Sequence, residues 1–528
     1  MNSKEENMTT RKTEPSGMND QKILDSIIIG TGFAGICMGI RLKQAGIDSY
    51  KILEQKDAIG GTWRENTYPG AECDVKSHLY SFSFEPNPNW KKMYGEQKEI
   101  LDYMQFCVDK YNLNSKIQFN TNVVGIYFQE EKGFWEIETS SGEILYARTV
   151  VSGNGGLSRP SIPDLPGIKN FKGKVFHSAK WDHSFDLNDK EVAVIGTGAS
   201  AIQIVPAIAP IVKKLNLFQR TPPWIISKED RVISDSERLL YSILPFTQQV
   251  YRDFIYWILE IRILGLVINP EIMKAFEQAA REYLKKSIKD PILREKLTPN
   301  YLFGCKRILM SNEYYPTLER ENVSVDVSGI SEVRENSILS KDGKEYFVDA
   351  IIAATGFQGA EALAPFEVIG LNQQNLNEIW KKSGAEAYLG TTINGFPNLF
   401  LMTGPNTGLG HSSMIFMIES QANYIVHSIL NLKKRNLKYM NVKKEVQDKY
   451  NEEMQRRLQK SVWAENCNSW YVTKSGKNTA LWPGFTMEFR LRTLFMNPLD
   501  YEFVAANESK PADNLFNSLQ NLVLTFLY

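Results

Sequence analysis

Two glycine-rich turns carry the strongest chemical signal in the chain. The first, Gly30-Thr31-Gly32-Phe33-Ala34-Gly35, follows the β-branched run Ser26-Ile27-Ile28-Ile29 and leads into a helical pattern through Leu42. In that strand–turn–helix setting Gly30 permits a tight turn, Gly32 lets the backbone reach a pyrophosphate and Gly35 lets helix and strand pack closely. Phe33 and Ala34 open the helix, whose first N–H groups are free to face an anion. The next strand, Tyr50-Lys51-Ile52-Leu53, ends in Glu54 and Gln55, with Glu54 24 residues after Gly30. An acid at roughly 20 residues suits a ribose hydroxyl.

The pattern recurs. Val192-Ala193-Val194-Ile195 leads into Gly196-Thr197-Gly198-Ala199-Ser200-Ala201, and the strand Leu215–Phe218 ends at Gln219-Arg220-Thr221. The offset from Gly196 to Arg220 is again 24, but the residue is a guanidinium, which suits a 2′-phosphate. One turn is therefore expected to hold FAD and the other NADPH. A single such turn is weak evidence; two, each with its strand, helix and partner residue, are strong.

Two nucleotide sites on one chain imply hydride transfer to a flavin that then performs a second half-reaction. A disulfide reductase, an NADPH oxidase or electron carrier, and a monooxygenase all fit. The five cysteines never form a C-x-x-C, which argues against the first and against a disulfide framework. The five histidines show no H-E-x-x-H, so no metal site is expected. A formal charge of zero argues against nucleic acid as a partner.

Between the turns lies Phe171-Lys172-Gly173-Lys174-Val175-Phe176-His177-Ser178-Ala179-Lys180-Trp181-Asp182. This resembles the F-x-G-x-x-x-H-x-x-x-W-[P/D] fingerprint of type I Baeyer–Villiger monooxygenases, set by Phe171, Gly173, His177, Trp181 and Asp182. Gly60-Gly61-Thr62-Trp63 with Tyr68-Pro69-Gly70 and Asp74 is similar to a second family signature, and Ala354-Thr355-Gly356-Phe357 to a third. The resemblance spans about Asp25 to Phe503.

It implies an NADPH- and dioxygen-dependent enzyme that turns a hydrophobic ketone into an ester or lactone through a C(4a)-peroxyflavin. Heteroatom oxygenation and a plain NADPH oxidase are the alternatives. By the same resemblance Arg307 supplies a fixed positive charge at the reacting centre, and Asp74 pairs with it. Lys306 supports Arg220 and Thr221 at the NADP phosphate, and Trp470 reaches the nicotinamide ribose. Gly61, Thr62, Trp63 and Tyr68, with Thr355, Gly356 and Phe357, line the cofactors. His177 and Trp181 are read as organising residues.

These residues require an α/β architecture with two Rossmann-like dinucleotide-binding domains, the FAD domain discontinuous. The expected order is a disordered polar leader (1–21), a first FAD-domain segment (22–156) and the NADP domain (157–352) with a helical insertion at about 225–297. A second FAD-domain segment with a mobile loop (353–505) and a C-terminal tail (506–528), apolar from Leu519, complete the chain. In the insertion Ile272, Phe276, Ala279 and Tyr283 follow one face of a helix, read as core packing or as a cap on the substrate cavity. The turn Gly404–Gly410 is expected to offer N–H groups to the flavin. The leader lacks the apolar segment of an export signal, and Glu260 and Arg262 interrupt the most apolar stretch, so no spanning segment is expected. A cytoplasmic location follows, with contact at a membrane surface and the oligomeric state left open.

Overall fold

The computed structural model describes residues 22–156, 159–357, 364–464 and 469–506. The leader 1–21 and the tail beyond residue 506 lie outside the described residues.

Two sheets organise the chain. In the first, Leu24–Ile29 pairs in parallel with Tyr50–Leu53 on one side and Ile144–Ser152 on the other. Ile27 and Ile28 are fully buried; a strand covered on both faces needs a continuous apolar run rather than an alternating one. An antiparallel meander, Val123–Gln129 and Phe134–Thr139, extends this sheet from Ile144–Ser152. Phe396–Leu401 then joins in parallel beside Ile144–Ser152, with Leu399 opposite Val150. Glu367–Ile369 pairs along Val123–Gln129. The first sheet is thus assembled from two stretches of chain separated by the second sheet.

The second sheet is parallel throughout, in the order Val323–Asp326, Lys214–Phe218, Glu191–Ile195, Ala350–Ala353, Lys174–His177. Each sheet carries one glycine turn at the carboxyl end of a central strand, where open α/β sheets bind ligands. The architecture is the expected α/β one.

A helical insertion opens and closes on the strand pair Ile225–Ile226 and Leu309–Met310. Its helices are Asp235–Ile243, Pro245–Ile261, Ile272–Ser287 and Pro291–Lys296, so helix begins later than the expected residue 225. The apolar stripe through Ile272 and Phe276 does not face the core. Both side chains are exposed, and the helix packs instead through Met273, Ala280 and Leu284. Apolar residues occupy both faces of this helix, and periodicity alone cannot choose between them.

The insertion docks on the first unit through polar groups. Gln248 Nε2 donates to His78 Nδ1 at 3.0 Å, and Arg252 Nη1 donates to the His78 carbonyl at 2.7 Å. The His78 ring sits edge-on between Tyr241 and Tyr251. Burial pushes its pKa down from 6.5 to about 4. The unfolded chain therefore takes up a proton first as pH falls, and docking is fully stable only above 6.5. Stability should drop by about 1.36 kcal/mol per pH unit below that value until the folded pKa is reached. Thermal unfolding of His78→Phe should show a flatter pH dependence than the wild type between pH 6.5 and about 4; an unchanged slope would rule His78 out as the source.

Candidate active site

The first turn is closed by backbone contacts. A Cβ on Gly35 would stand 1.9 Å from the Gly30 carbonyl oxygen, and one on Gly30 (φ +98°) would stand 2.9 Å from that of Gly153. Gly32 is different: its missing side chain points past Gly61 Cα, 3.9 Å away, leaving backbone open to a close-lying anion. The Gly60–Trp63 segment crosses above this turn, with Gly60 N–H donating to the Thr31 carbonyl at 3.1 Å. Glu54 is buried and accepts from Thr31 N at 3.0 Å and Lys56 N at 3.0 Å, so its carboxylate is held at the strand end beside the turn. Gln55 and Thr62 are exposed there. Phe33 and Trp63 point into the core, Phe33 against Tyr80 and Phe82, Trp63 donating to Tyr80 Oη at 3.1 Å.

The second turn repeats this geometry. Gly196 has φ +112°, and a Cβ there would meet the Ala354 carbonyl oxygen at 2.3 Å; at Gly198 nothing lies within 4 Å. Thr197 Oγ1 donates to the Thr221 carbonyl at 2.9 Å, tying the turn to the end of the next strand. There Arg220 is exposed, and Lys306, whose ammonium lies 4.7 Å from the Tyr301 ring centre, approaches it. Partial burial, and then the Arg220 charge, pull the Lys306 pKa below its usual value. Two cations brought together at a cost are a natural seat for a phosphate.

Tyr68 is not at the first turn. It packs in the core of the second unit, and its hydroxyl donates to Gln203 Oε1 at 2.9 Å. A Cβ on Gly70 would lie 2.9 Å from the Gln203 carbonyl oxygen. The Tyr-Pro-Gly segment is thus an inter-unit joint against the helix Ala199–Ile208 that begins at the second turn.

The fingerprint is also a joint. Lys174–His177 forms the edge strand of the second sheet, His177 opposite Ala353. Ala179 N–H donates to His177 Nδ1 at 3.1 Å, so Nε2 carries the proton and donates to the Gly356 carbonyl at 3.0 Å. The ring is 2% exposed, and burial lowers its pKa, keeping it neutral. Ser161 N–H donates to the same carbonyl at 2.8 Å, Thr355 Oγ1 bonds the Ser161 carbonyl, and Phe357 meets the His177 ring edge-on. The two strands of chain linking the units run side by side, clamped here. Gly173 allows close approach to the Asp349 carbonyl, Phe171 packs against the cluster containing Val333, Ile338 and Tyr346, and Trp181 meets Phe176 edge-on. Asp182 accepts from Ser184 N at 3.0 Å.

Arg307 and Asp74 meet where the units join. Arg307 Nε and Nη2 both reach Asp74 Oδ2, at 2.8 and 2.5 Å, and Nη1 points at the Leu409 carbonyl at 3.4 Å. The side chains are 36% and 31% exposed, so the pair contributes no more than about 1 kcal/mol to stability; its value is aim. Asp74 holds the guanidinium's pKa well above its usual value, so the charge is permanent. A small cavity lined by Cys73, Asp74, Ala199 and Leu309 puts Asp74 and the helix start of the second turn on one space.

Several neighbours escaped the sequence reading. Tyr471 is buried, its hydroxyl has no hydrogen-bond partner among the described residues, and Arg307 acts on it electrostatically. His411 Nε2 lies 3.2 Å from Glu260 Oε1, both side chains being almost wholly buried, and Thr486 N–H donates to Glu260 Oε2 at 2.9 Å. Burial pushes the Glu260 carboxyl up, but bonds from His411 and Thr486 outweigh it and hold the pKa below normal. This network fastens the insertion to the loop that carries Leu409. Glu260 was visible in the sequence only as a charge interrupting an apolar run.

One further expectation needs correction. The N–H groups of Asn406 and Gly408 donate to the Thr479 and Ala480 carbonyls, so these two members of the Gly404–Gly410 turn are satisfied internally. Cys37, Cys73 and Cys107 are free and buried. Trp470 is 51% exposed and packs on Tyr471. Among the described residues no helix is long and apolar enough to cross a membrane.

Residues 27–236 match a family model described as pyridine nucleotide-disulphide oxidoreductase. Over 468 residues the chain is 50% identical to a Baeyer–Villiger monooxygenase of Pseudomonas aeruginosa, covering 88% of this chain and 89% of that protein. Among solved structures, the cyclohexanone monooxygenase of Rhodococcus sp. Phi1 bound to NADP+ is similar with a TM-score of 0.83 and 26% identity, over 92% of this chain and 100% of that one. The OTEMO complex with FAD and NADP gives 0.81 and 28%, again over 92% and 100%.

Proposed function

The chain belongs to the Baeyer–Villiger monooxygenases, FAD-dependent and NADPH-using oxidoreductases, and from that premise we propose how its residues divide the work of turning a hydrophobic ketone into an ester or lactone. Gly30, Gly32, Phe33, Ala34 and Gly35 would hold FAD, with Glu54 and Gln55 for its ribose and the Gly61, Thr62 and Trp63 segment completing that site. Gly196, Thr197, Gly198, Ala199 and Ser200 would hold NADPH, with Arg220, Thr221 and Lys306 for its 2′-phosphate. Thr355, Gly356 and Phe357, with the fingerprint residues, hold the two sites in register. Bound FAD and NADPH supply the activation of dioxygen and the hydride. The boundaries at residues 156, 352 and 505 belong to this proposal, and so does a cytoplasmic location, where NADPH is supplied.

The observation that carries the reading is the Arg307–Asp74 pair, aimed by its own bonds at the junction of the two nucleotide units. Negative charge develops on oxygen as a ketone carbonyl is attacked, and a preorganised cation is the largest single aid to such a step. Arginine keeps its charge in a dry site where lysine would shed it. Asp74 orients the guanidinium, and the exposed Trp470 beside Tyr471 is placed to close over the nicotinamide and keep water out.

The phosphate assignment is tested by cofactor preference. Arg220→Ala with Lys306→Ala should raise KM for NADPH by about 10- to 100-fold, in line with charge-assisted bonds, and leave KM for NADH nearly unchanged. An equal loss toward both nucleotides would place the 2′-phosphate elsewhere.

A further inference from the structure

The helix Pro245–Ile261 is apolar on both sides: Ile255 and Tyr256 join the core, yet its outer face is apolar too. Its inward face buries Gln248, Arg252 and Glu260, while Phe246, Val250, Phe254, Trp257, Ile258 and Ile261 stand 44–65% exposed. These six fall on one stripe of a 3.6-residue helix. The stripe continues through Ile243 on the preceding helix and through Ile268 and Phe276 beyond it, 65%, 61% and 52% exposed. Side chains of this size, roughly half exposed, present on the order of 800 Å² of apolar surface. The largest patch of an ordinary monomer is about 300–600 Å², and a standard interface buries about 800 Å² per partner.

Charge decides between occupants. From residue 235 to residue 287 there are seven acids and seven bases, and Asp235–Arg238, Glu271–Lys274 and Glu277–Arg281 pair within the insertion. A helix lying on a lipid surface carries a Lys/Arg excess on its outward polar face; here Arg252 is turned into the protein, and the exposed polar residues of the central helix include Gln249 and the acid Asp253. An apolar, aromatic-rich centre with an electrically neutral rim is self-complementary. It suits an isologous contact, the same patch meeting itself about a two-fold axis. We propose that this face of the insertion is where two copies of the chain associate. Burying Arg252 and Glu260 inward then has a reason: they fix the insertion to its own chain through His78, Ser81, His411 and Thr486, leaving the apolar stripe for the partner.

The test is the mass of the full-length, FAD-loaded enzyme by light scattering and sedimentation velocity, for the wild type and for Phe254→Asp/Ile258→Lys. The wild type should have twice the mass of one chain and the variant the mass of one chain, with flavin content and circular dichroism unchanged. If the double variant does not fold, Phe246→Lys at the other end of the stripe reads the same change. A wild type that stays monomeric at working concentration, or a dimer indifferent to these substitutions, overturns the proposal. So does a monomer that floats with neutral phosphatidylcholine vesicles and loses that binding in the variant, which would assign the stripe to lipid.

Discussion

Arg307→Ala will reduce its flavin with NADPH at close to the wild-type rate and yet form ester at least about 10²–10³-fold more slowly, the loss typical of removing one preorganised charge from a developing oxyanion. The dissociation follows from geometry. Arg307 is held by Asp74 and points past it to the Leu409 carbonyl, whereas the cations expected at the NADP phosphate are Arg220 and Lys306. Hydride delivery should survive without Arg307; oxygen insertion should not. Asp74→Ala should produce a milder form of the same split, because the charge remains but loses its aim. Asp74→Asn, which can still accept a hydrogen bond from Arg307 Nε, should recover some of it. Loss of flavin reduction in parallel with ester formation would instead make Arg307 a general nucleotide-binding residue.

Gly35→Ala will be purified with little or no FAD, while Gly198→Ala will keep FAD and bind NADPH poorly. The contrast separates two reasons for a glycine. At Gly35 the added carbon would stand 1.9 Å from the Gly30 carbonyl oxygen. That neighbour is backbone, so no rotamer relieves the clash. Overpacking of this kind costs about 1–3 kcal/mol or more, and here it would lever the helix Phe33–Gln44 off its strand, opening the turn itself. Flavin per polypeptide should fall at least about tenfold, since 1.4 kcal/mol is already a factor of ten in affinity. At Gly198 no described residue beyond its chain neighbours would lie within 4 Å of the added carbon, so Gly198→Ala should fold and keep the first site. On the proposed assignment its methyl group would occupy the space of the NADP pyrophosphate. Absorbance of bound flavin and titration with NADP+ read the two outcomes, and equal behaviour of the two variants would remove this distinction.

The features legible in the sequence are those whose physics is local. A strand–turn–helix with glycines at fixed positions states its own geometry within about six residues, and Glu54 and Arg220 lie at the ends of the adjacent strands, one connection away. The Phe171–Asp182 fingerprint is legible as a pattern, whereas the bonds His177 makes to Ala179 and Gly356 appear only in the fold. What could not be read depends on contacts between distant stretches. Tyr68 sits near Gly61 and Trp63 in sequence, but its ring is drawn into the second unit by Gln203. Tyr471 becomes interesting only because the fold sets it beside Arg307, and Glu260 only because His411 and Thr486 arrive from more than a hundred residues away. The helix Ile272–Ser287 has apolar residues on two faces, and the choice between them belongs to packing, not to periodicity.

The most direct test of the account is product analysis under isotopically labelled dioxygen. Purified enzyme is supplied with NADPH and a panel of hydrophobic ketones and sulfides, and ester, sulfoxide and hydrogen peroxide are quantified against NADPH consumed. At least one ketone should give an ester or lactone carrying a single labelled oxygen, mole for mole with NADPH, and Arg307→Ala should divert the same NADPH to hydrogen peroxide. Hydrogen peroxide from the wild type with every ketone, or sulfoxide with no ester at all, would contradict it.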